Sequence, residues 1–527
     1  MSPRTWTLIA VVLGSGIVFL DSTIVNVALR AIGEHLPATL VGTLEGQSYV
    51  VNGYLLSLSA LLILAGALAD RYGRQRFFII GLSGFGLASL ACGLAPNMEL
   101  LILARLAQGA FGALLVPTSL ALINATFDGA DRGRAFGIWA AATSALIVAG
   151  PVVGGFLIDT FDWRVAFLIN VPLVALGVAI AVGLPAESRS GEAAGSFDWL
   201  GAAVVALAVG GLSYGAIRGQ ERQWADPSAW AALVIGVVAT ASLVPLMRSR
   251  PHPLVPPSLF RSRNFTVTNI STLLIYGALY SLSYFQAVFL QGTLGYTALA
   301  SGLTSVPSGI ALAFLSTTFG EMAGRHGPRR FMTIGPALMA IGLLWFLRLP
   351  ASSEPWLAAV GDPASLVPPA SFLIDVLPAV VLFGLGISML VAPLTTALMT
   401  SVPVGNSGLA SAINNAISRI GPLLATSVIF IVVSTAFYAS LAGRVPSADL
   451  SSSEVRAQVS PLNAPGRDAG AELREGARGA STDAFHLAML IAALLCAAGA
   501  AVNWAGIQDP KAGRADRDAA ARAAGAA

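Results

Sequence analysis

Residues 19 to 29, FLDSTIVNVAL, set an acid, Asp21, near the middle of a long apolar run. An ionised carboxylate at the centre of a bilayer costs about 2.5–3.5 kcal/mol on insertion scales. A second run, LILARLAQGAF at 101 to 111, carries Arg105 and Gln108. A nearby arginine lowers a carboxylate's pKa and desolvation raises it. A pair whose access to water changes can therefore take up and release a proton. A static pair that only fixes helix packing is the other reading of the same residues. Further polar side chains interrupt apolar runs at Asn26, Asn52, Asn414 and Asn415. Tyr276, Tyr280 and Tyr284, spaced by four, share one helical face, with Gln286 and Gln291 further on. Aromatics with a few polar groups suit amphipathic ligands. They suit packing on a neighbour or on lipid as well. Arg419 reads as an anchor near the membrane interface, and Asp375 lies at the start of an apolar run.

Such residues need helices in a membrane to hold them. Of 527 residues, 55% are hydrophobic and 11% charged, and mean hydropathy is +0.75. Soluble chains carry roughly 25% charged residues. The composition predicts an all-α membrane protein. A span takes about 20 mostly apolar residues. Fourteen such runs lie near 6–29, 47–69, 77–95, 99–126, 134–158, 164–184, 199–217, 229–247, 265–291, 300–323, 330–349, 371–400, 405–436 and 484–506. The first run exceeds the 7–15 residues of a signal-peptide core and reads as a retained helix. With the N-terminus inside, the inner segments hold 18 Lys/Arg against five in the short outer loops. That bias places both termini on the cytoplasmic side. The outer loop of about 437–483 reads as solvated, helical in part and without a core of its own, and the tail 509–527 as disordered.

Several activities are excluded. The only lysine, Lys511, stands between Pro510 and Ala512, so no Walker A phosphate loop exists. Cys92 and Cys496 lie in apolar runs and are too few for a metal site. No cofactor is expected. The net charge of +3 gives no reason to expect nucleic acid.

The chain contains a repeat. GALADRYGRQRFFIIG (66–81) aligns with GEMAGRHGPRRFMTIG (320–335), identical at eight of 16 positions. Both copies fall in an inner loop joining two helices. A plain basic turn would not need glycines at matched offsets. The repeat divides the chain into a six-helix half (1–185), two additional helices (186–263) and a second six-helix half (264–508).

On these residues the sequence resembles the major facilitator superfamily. GALADRYGRQRF is similar to its signature loop. LDSTIVNVAL (20–29), LILARLAQGAFGALLVPTS (101–119), AGPVVGGFL (149–157) and DWRVAFLINVP (162–172) look like motifs of its 14-helix drug:proton antiporter branch. Arg30, Leu146, Tyr49 and Gly324 depart from the usual residues, and Leu146 weakens the antiport motif. The resemblance implies the major facilitator fold, two six-helix halves plus two extra helices. It also implies a carrier rather than an enzyme, exporting small amphipathic compounds across a bacterial inner membrane in exchange for protons. A dedicated exporter of one metabolite, an importer and a non-transporting sensor are the rival readings.

Asp21 lies about 21 Å from the inner end of its helix and Arg105 about 9 Å from the outer end of its own. Both therefore sit at one depth. The resemblance implies that their helices are neighbours, so the pair is expected to face one central cavity in a proton-coupling role. Asn26, Asn52, Gln108, Tyr276, Tyr280, Tyr284 and Asn414 are the candidate substrate contacts. The resemblance assigns gating to Gly66, Asp70, Arg71, Gly73 and Arg74 as an inner latch. It assigns a seal between halves to Gly150, Pro151, Gly154 and Gly155. Relatives in Gram-negative bacteria often work with a periplasmic adaptor and an outer-membrane channel.

Overall fold

The computed structural model describes residues 2–37, 43–127, 129–184, 197–221, 224–359, 361–450, 452, 455, 458–466 and 469–509. The first half comprises α1 (Pro3–His35), α2 (Thr43–Tyr72), α3 (Arg74–Gly93), α4 (Met98–Thr126), α5 (Gly129–Thr160) and α6 (Val165–Val182). Then come α7 (Trp199–Glu221) and α8 (Pro227–Ser249). The second half comprises α9 (Arg263–Phe289), α10 (Leu299–His326), α11 (Arg329–Trp345), α12 (Leu377–Thr400), α13 (Ser407–Arg444) and α14 (Ala471–Gly506). Among the described residues, 13 helical stretches are long and apolar enough to cross a membrane. The 32-residue α5 stands beside them.

Local chemistry sets where key helices begin. Asn97 accepts the amide of Leu100 at 2.9 Å, which fixes the start of α4 and so the height of Arg105. Asp226 caps α8, with Pro227 in its first turn. Asp226 also receives Arg218 of α7 at 2.8 Å, and Arg218 reaches the Tyr49 hydroxyl of α2 at 2.7 Å. One carboxylate thus ties the two additional helices to the first half.

Lipid is as apolar as leucine, so helices in it associate through close packing and polar contacts. Gly211 of α7 lies against Ala232 and Gly236 of α8. Gly109 of α4 lies against Tyr54 and Ser57 of α2, where a Cβ would not fit.

The two halves repeat one packing pattern. In the first, α1 packs on α5, α4 on α2 and α3, and α3 on α6; in the second, α9 packs on α13, α12 on α10 and α11, and α11 on α14. The seams between halves, α2 with α13 and α5 with α10, obey the same correspondence. α7 packs over the α2–α13 seam, and α8 packs on α7.

Three apolar clusters form the core. One belongs to the second half alone, with Phe285, Phe346 and Phe485. A second, with Leu20, Ile24, Val50 and Trp163, belongs to the first half alone. The third joins Leu62, Phe78 and Phe136 to Leu398, Leu409 and Ile413. These second-half members all come from the end where α12 stops and α13 starts. That is the end of the repeated basic loops, the one expected to be inner, so the halves share a core there. The seam there is made of small residues. A Cβ on Gly66 would come 2.6 Å from the Gly408 carbonyl oxygen and from the Ala412 Cβ. On the other seam, Gly137 faces Thr317, and Gly320 faces Ala392 and the Gly133 carbonyl.

The outer loop differs from expectation. α13 continues to Arg444 and α14 already begins at Ala471. Between them Val445, Val459 and Leu462 are buried in the second-half core. Arg444 pairs with Asp483 at 2.8 Å, joining the two helices in the stretch expected to be loop. The expected 437–483 loop is therefore mostly helix and core. Residues 510–527 lie outside the described residues.

The Gly66 contact yields a prediction. Gly66→Val presses a branched side chain into the α13 backbone and should part the inner seam. Spin labels at the inner ends of α2 and α13 should then report a longer distance. An unchanged distance distribution would mean that this contact does not hold the seam.

Candidate functional site

Asp21 and Arg105 meet. Arg105 Nη1 donates to Asp21 Oδ2 at 2.6 Å, and both side chains are fully buried. The other oxygen, Oδ1, accepts from Gln108 Nε2 at 2.9 Å and from Asn170 Nδ2 at 3.0 Å. Gln108 accepts a second bond from Arg105 Nη1 at 2.6 Å and donates to Ser89 Oγ at 2.6 Å. Arg105 Nε donates to the Val50 carbonyl at 2.9 Å. Its guanidinium lies over the Tyr54 ring at 4.1 Å and near Phe167 at 5.7 Å. Helices α1, α2, α4 and α6 therefore each place a group on one ion pair, and Ser89 of α3 braces its partners Gln108 and Asn170.

This arrangement follows from the cost of burying charge. A carboxylate in low dielectric stays ionised only when paired and hydrogen-bonded. Here three donors face Asp21. The pair points into the first half, between α1, α3, α4 and α6, and not into an open cavity. Gln108, expected to touch substrate, is spent on the pair. Two members, Ser89 and Asn170, escaped the sequence reading. Both are polar residues inside apolar helices, and that signal was available.

The inner latch also takes shape. Asp70 Oδ1 accepts the amide of Gly408 at 3.2 Å, and Oδ2 that of Leu409 at 2.8 Å. Arg74 Nε donates to Oδ1 at 2.9 Å. Asn406 makes no side-chain cap for α13. A carboxylate from the other half thus serves the exposed amides of the α13 N-terminus, where the helix dipole favours negative charge. Arg71 lies against the Tyr72 ring at 5.6 Å. Gly73 has φ +110°, and its repeat counterpart Gly327 has φ +87°. Only glycine takes such a turn at little cost. The second copy carries Gly324 in place of Asp70, with nothing within 4 Å of a Cβ there. The cross-half latch is one-sided.

Other candidates fall elsewhere. Gly150 and Gly154 press on Thr23 and Ile24 of α1, inside the first half and away from the seam between halves. The side chains of Pro151, Gly155 and Asn26 lie outside the described residues. Asn52 is half-buried. Asn414 donates to Asn269 at 3.1 Å and to Thr272 at 2.8 Å, which joins α13 to α9. Tyr276 is half-buried, whereas Tyr280 and Tyr284 are 52% and 49% exposed. Asp375 bonds Ser353 at 2.8 Å, next to α12.

Two pseudo-equivalent helical halves that meet at one end, with a buried ion pair inside the first, are the build of a membrane carrier. The sequence model of the Major Facilitator Superfamily matches residues 11–426, and the chain belongs to that family. It is similar to the multidrug resistance protein Stp of Mycobacterium tuberculosis, with 35% identity over 82% of this chain and 77% of that protein. It is also similar to the tetracenomycin C resistance and export protein of Streptomyces glaucescens, with 29% identity over 82% and 76%. The solved proton:xylose symporter XylE shares the fold, with a TM-score of 0.56 at 14% identity over 96% of each chain.

Two measurements probe the site. Asp21→Ala leaves Arg105 buried without its counter-charge, which costs about 3–5 kcal/mol. The variant should unfold at a clearly lower temperature in detergent, and Asp21→Asn, which keeps the shape and one of the two acceptor oxygens, should lose less. Asp70→Asn removes charge from a helix N-terminus, worth about 0.3–2 kcal/mol. Labelling of an Ala412→Cys reporter from the inner side should rise accordingly. Equal labelling with and without Asp70→Asn would show that the carboxylate holds nothing closed.

Proposed function

We propose that this protein exports small amphipathic compounds across the bacterial inner membrane in exchange for protons, by alternating access between its two halves. The observation that carries the reading is Asp21, an acid buried at mid-membrane and held by Arg105, Gln108 and Asn170. The similarity to resistance and export proteins supports the direction and the kind of substrate. Both termini lie in the cytoplasm, and residues 1–185 and 264–508 are the units that move.

In the described conformation the halves share a core at the inner end, and Asp70 latches them there. Asp21 is sealed away from solvent. A shift of α1 against α4 that admits water from outside lets the carboxylate take a proton. Protonation weakens its hold on Arg105. The freed guanidinium then favours rearrangement around α4, and release of the proton inside restores the pair. Access of the two sides in turn is what a repeat-built carrier needs. A purely static pair would leave transport intact when neutralised.

Proton movement in proteoliposomes carrying an internal pH probe tests this. Added substrate compounds should drive proton flux in wild type, and Asp21→Asn should abolish it. Undiminished flux in Asp21→Asn would leave the pair a packing device and move the coupling elsewhere.

A further inference from the structure

Arg419 is the mid-membrane cation that the Asp21 network does not use. The sequence suggests an anchor near the inner interface. The structure instead puts it well inside α13, about 18 Å along the helix from Ser407. Eleven residues are close to three whole turns, so Arg419 shares a face with Gly408. Gly408 is the residue that meets Gly66 and Asp70 of the first half. Arg419 therefore faces the other half. It stands just beyond the shared core, whose members on α13 reach to Ala416. It acts electrostatically on Tyr54, as Asp21 and Arg105 also do.

Its bonding contrasts with that of Arg105. Arg105 is committed to Val50, Asp21 and Gln108. The Nε of Arg419 is buried and has no hydrogen-bond partner among the described residues. The carboxylates of this region are already engaged, Asp21 with three donors and Asp70 with the α13 amides and Arg74. Among the described residues, no carboxylate pairs with this half-buried guanidinium. An isolated buried charge is costly, and a cation inside a membrane protein marks a site by default.

Resting on the export reading, we propose that Arg419 recognises an acidic group of the transported compound, a carboxylate or an equivalent oxyanion, in the cleft that opens beyond the shared core when the halves part. A guanidinium presents a planar fork of donors that matches such a group with two parallel hydrogen bonds. The Asp21–Arg105 pair is neutral as a unit, so Arg419 sets the sign of the cleft. The expected cargo is therefore acidic or zwitterionic, not a simple organic cation.

The test uses the full chain purified in detergent, with 1-pyrenebutyrate and its neutral amide as matched fluorescent probes. Anisotropy should show the acid binding roughly tenfold or more tightly than the amide, the worth of one charge-assisted contact. Arg419→Gln should erase that ratio, and Arg419→Lys, which keeps the charge but not the fork, should retain part of it. Equal binding of acid and amide in wild type, no binding of the acid, or a ratio that survives Arg419→Gln would each overturn the proposal. If Arg419→Gln does not fold, the reduced ratio in Arg419→Lys decides. Movement of both probes into inverted, energised vesicles is read in parallel. Preference without movement removes export and keeps the anion site, whereas movement without preference keeps export and removes the anion site.

Discussion

The Asp21–Arg105 contact constrains more of this molecule than any other interaction. A carboxylate beyond the reach of water must be answered by protein donors, and each donor has to come from somewhere. Here the donors come from α4 and α6, and acceptors on α2 and α3 hold those donors in place. Five of the six helices in the first half are registered against each other by one charge. The start of α4 at Asn97, the close approach of α4 to α2 at Gly109 and the Tyr54 ring over the guanidinium all serve that register. Among the described residues the second half shows no equivalent. Its core is apolar, stacked around Phe289 and Phe485 at 4.1 Å, with Asn414 making the bond between α13 and α9. One half is organised by charge and the other by packing, although both derive from one repeated pattern.

The same asymmetry appears at the inner loops. Both copies keep the glycine that turns the chain at positive φ, so the loop geometry is common to the halves. The acid was retained once. Asp70 crosses the seam to cap α13, while the corresponding Gly324 touches nothing. A device present on one side only biases the equilibrium between conformations without locking both.

The fold was largely legible because its signals are strong ones. Runs of apolar residues, glycines at matched offsets and a charge bias between loops do not depend on how helices pack. The ion pair was legible for a related reason, since charges inside apolar runs are rare. What escaped depended on packing. Asn170 and Ser89 are uncharged, and only the meeting of α3 and α6 at Asp21 makes them partners. Gln108 was taken for a substrate contact because its sequence position does not show that Arg105, one turn before it, claims its oxygen. Gly150 and Gly154 read as a seam between halves but pack on α1. The stretch AELREGARGASTD looked like loop because it is polar; it is a good helix former that extends α14 beyond its apolar run.

The inner seam has a consequence for how readily the molecule changes shape. Gly66 against Gly408 and Ala412, and Gly320 against Gly133 and Ala392, bring backbones together with almost no side-chain surface between them. Such a joint fits closely yet has little cohesion. At these glycine contacts, parting the halves exposes few apolar atoms. The cohesion of the seam is then concentrated beside them, in the shared cluster of Leu62, Phe136, Leu409 and Ile413 and in the one carboxylate that crosses it.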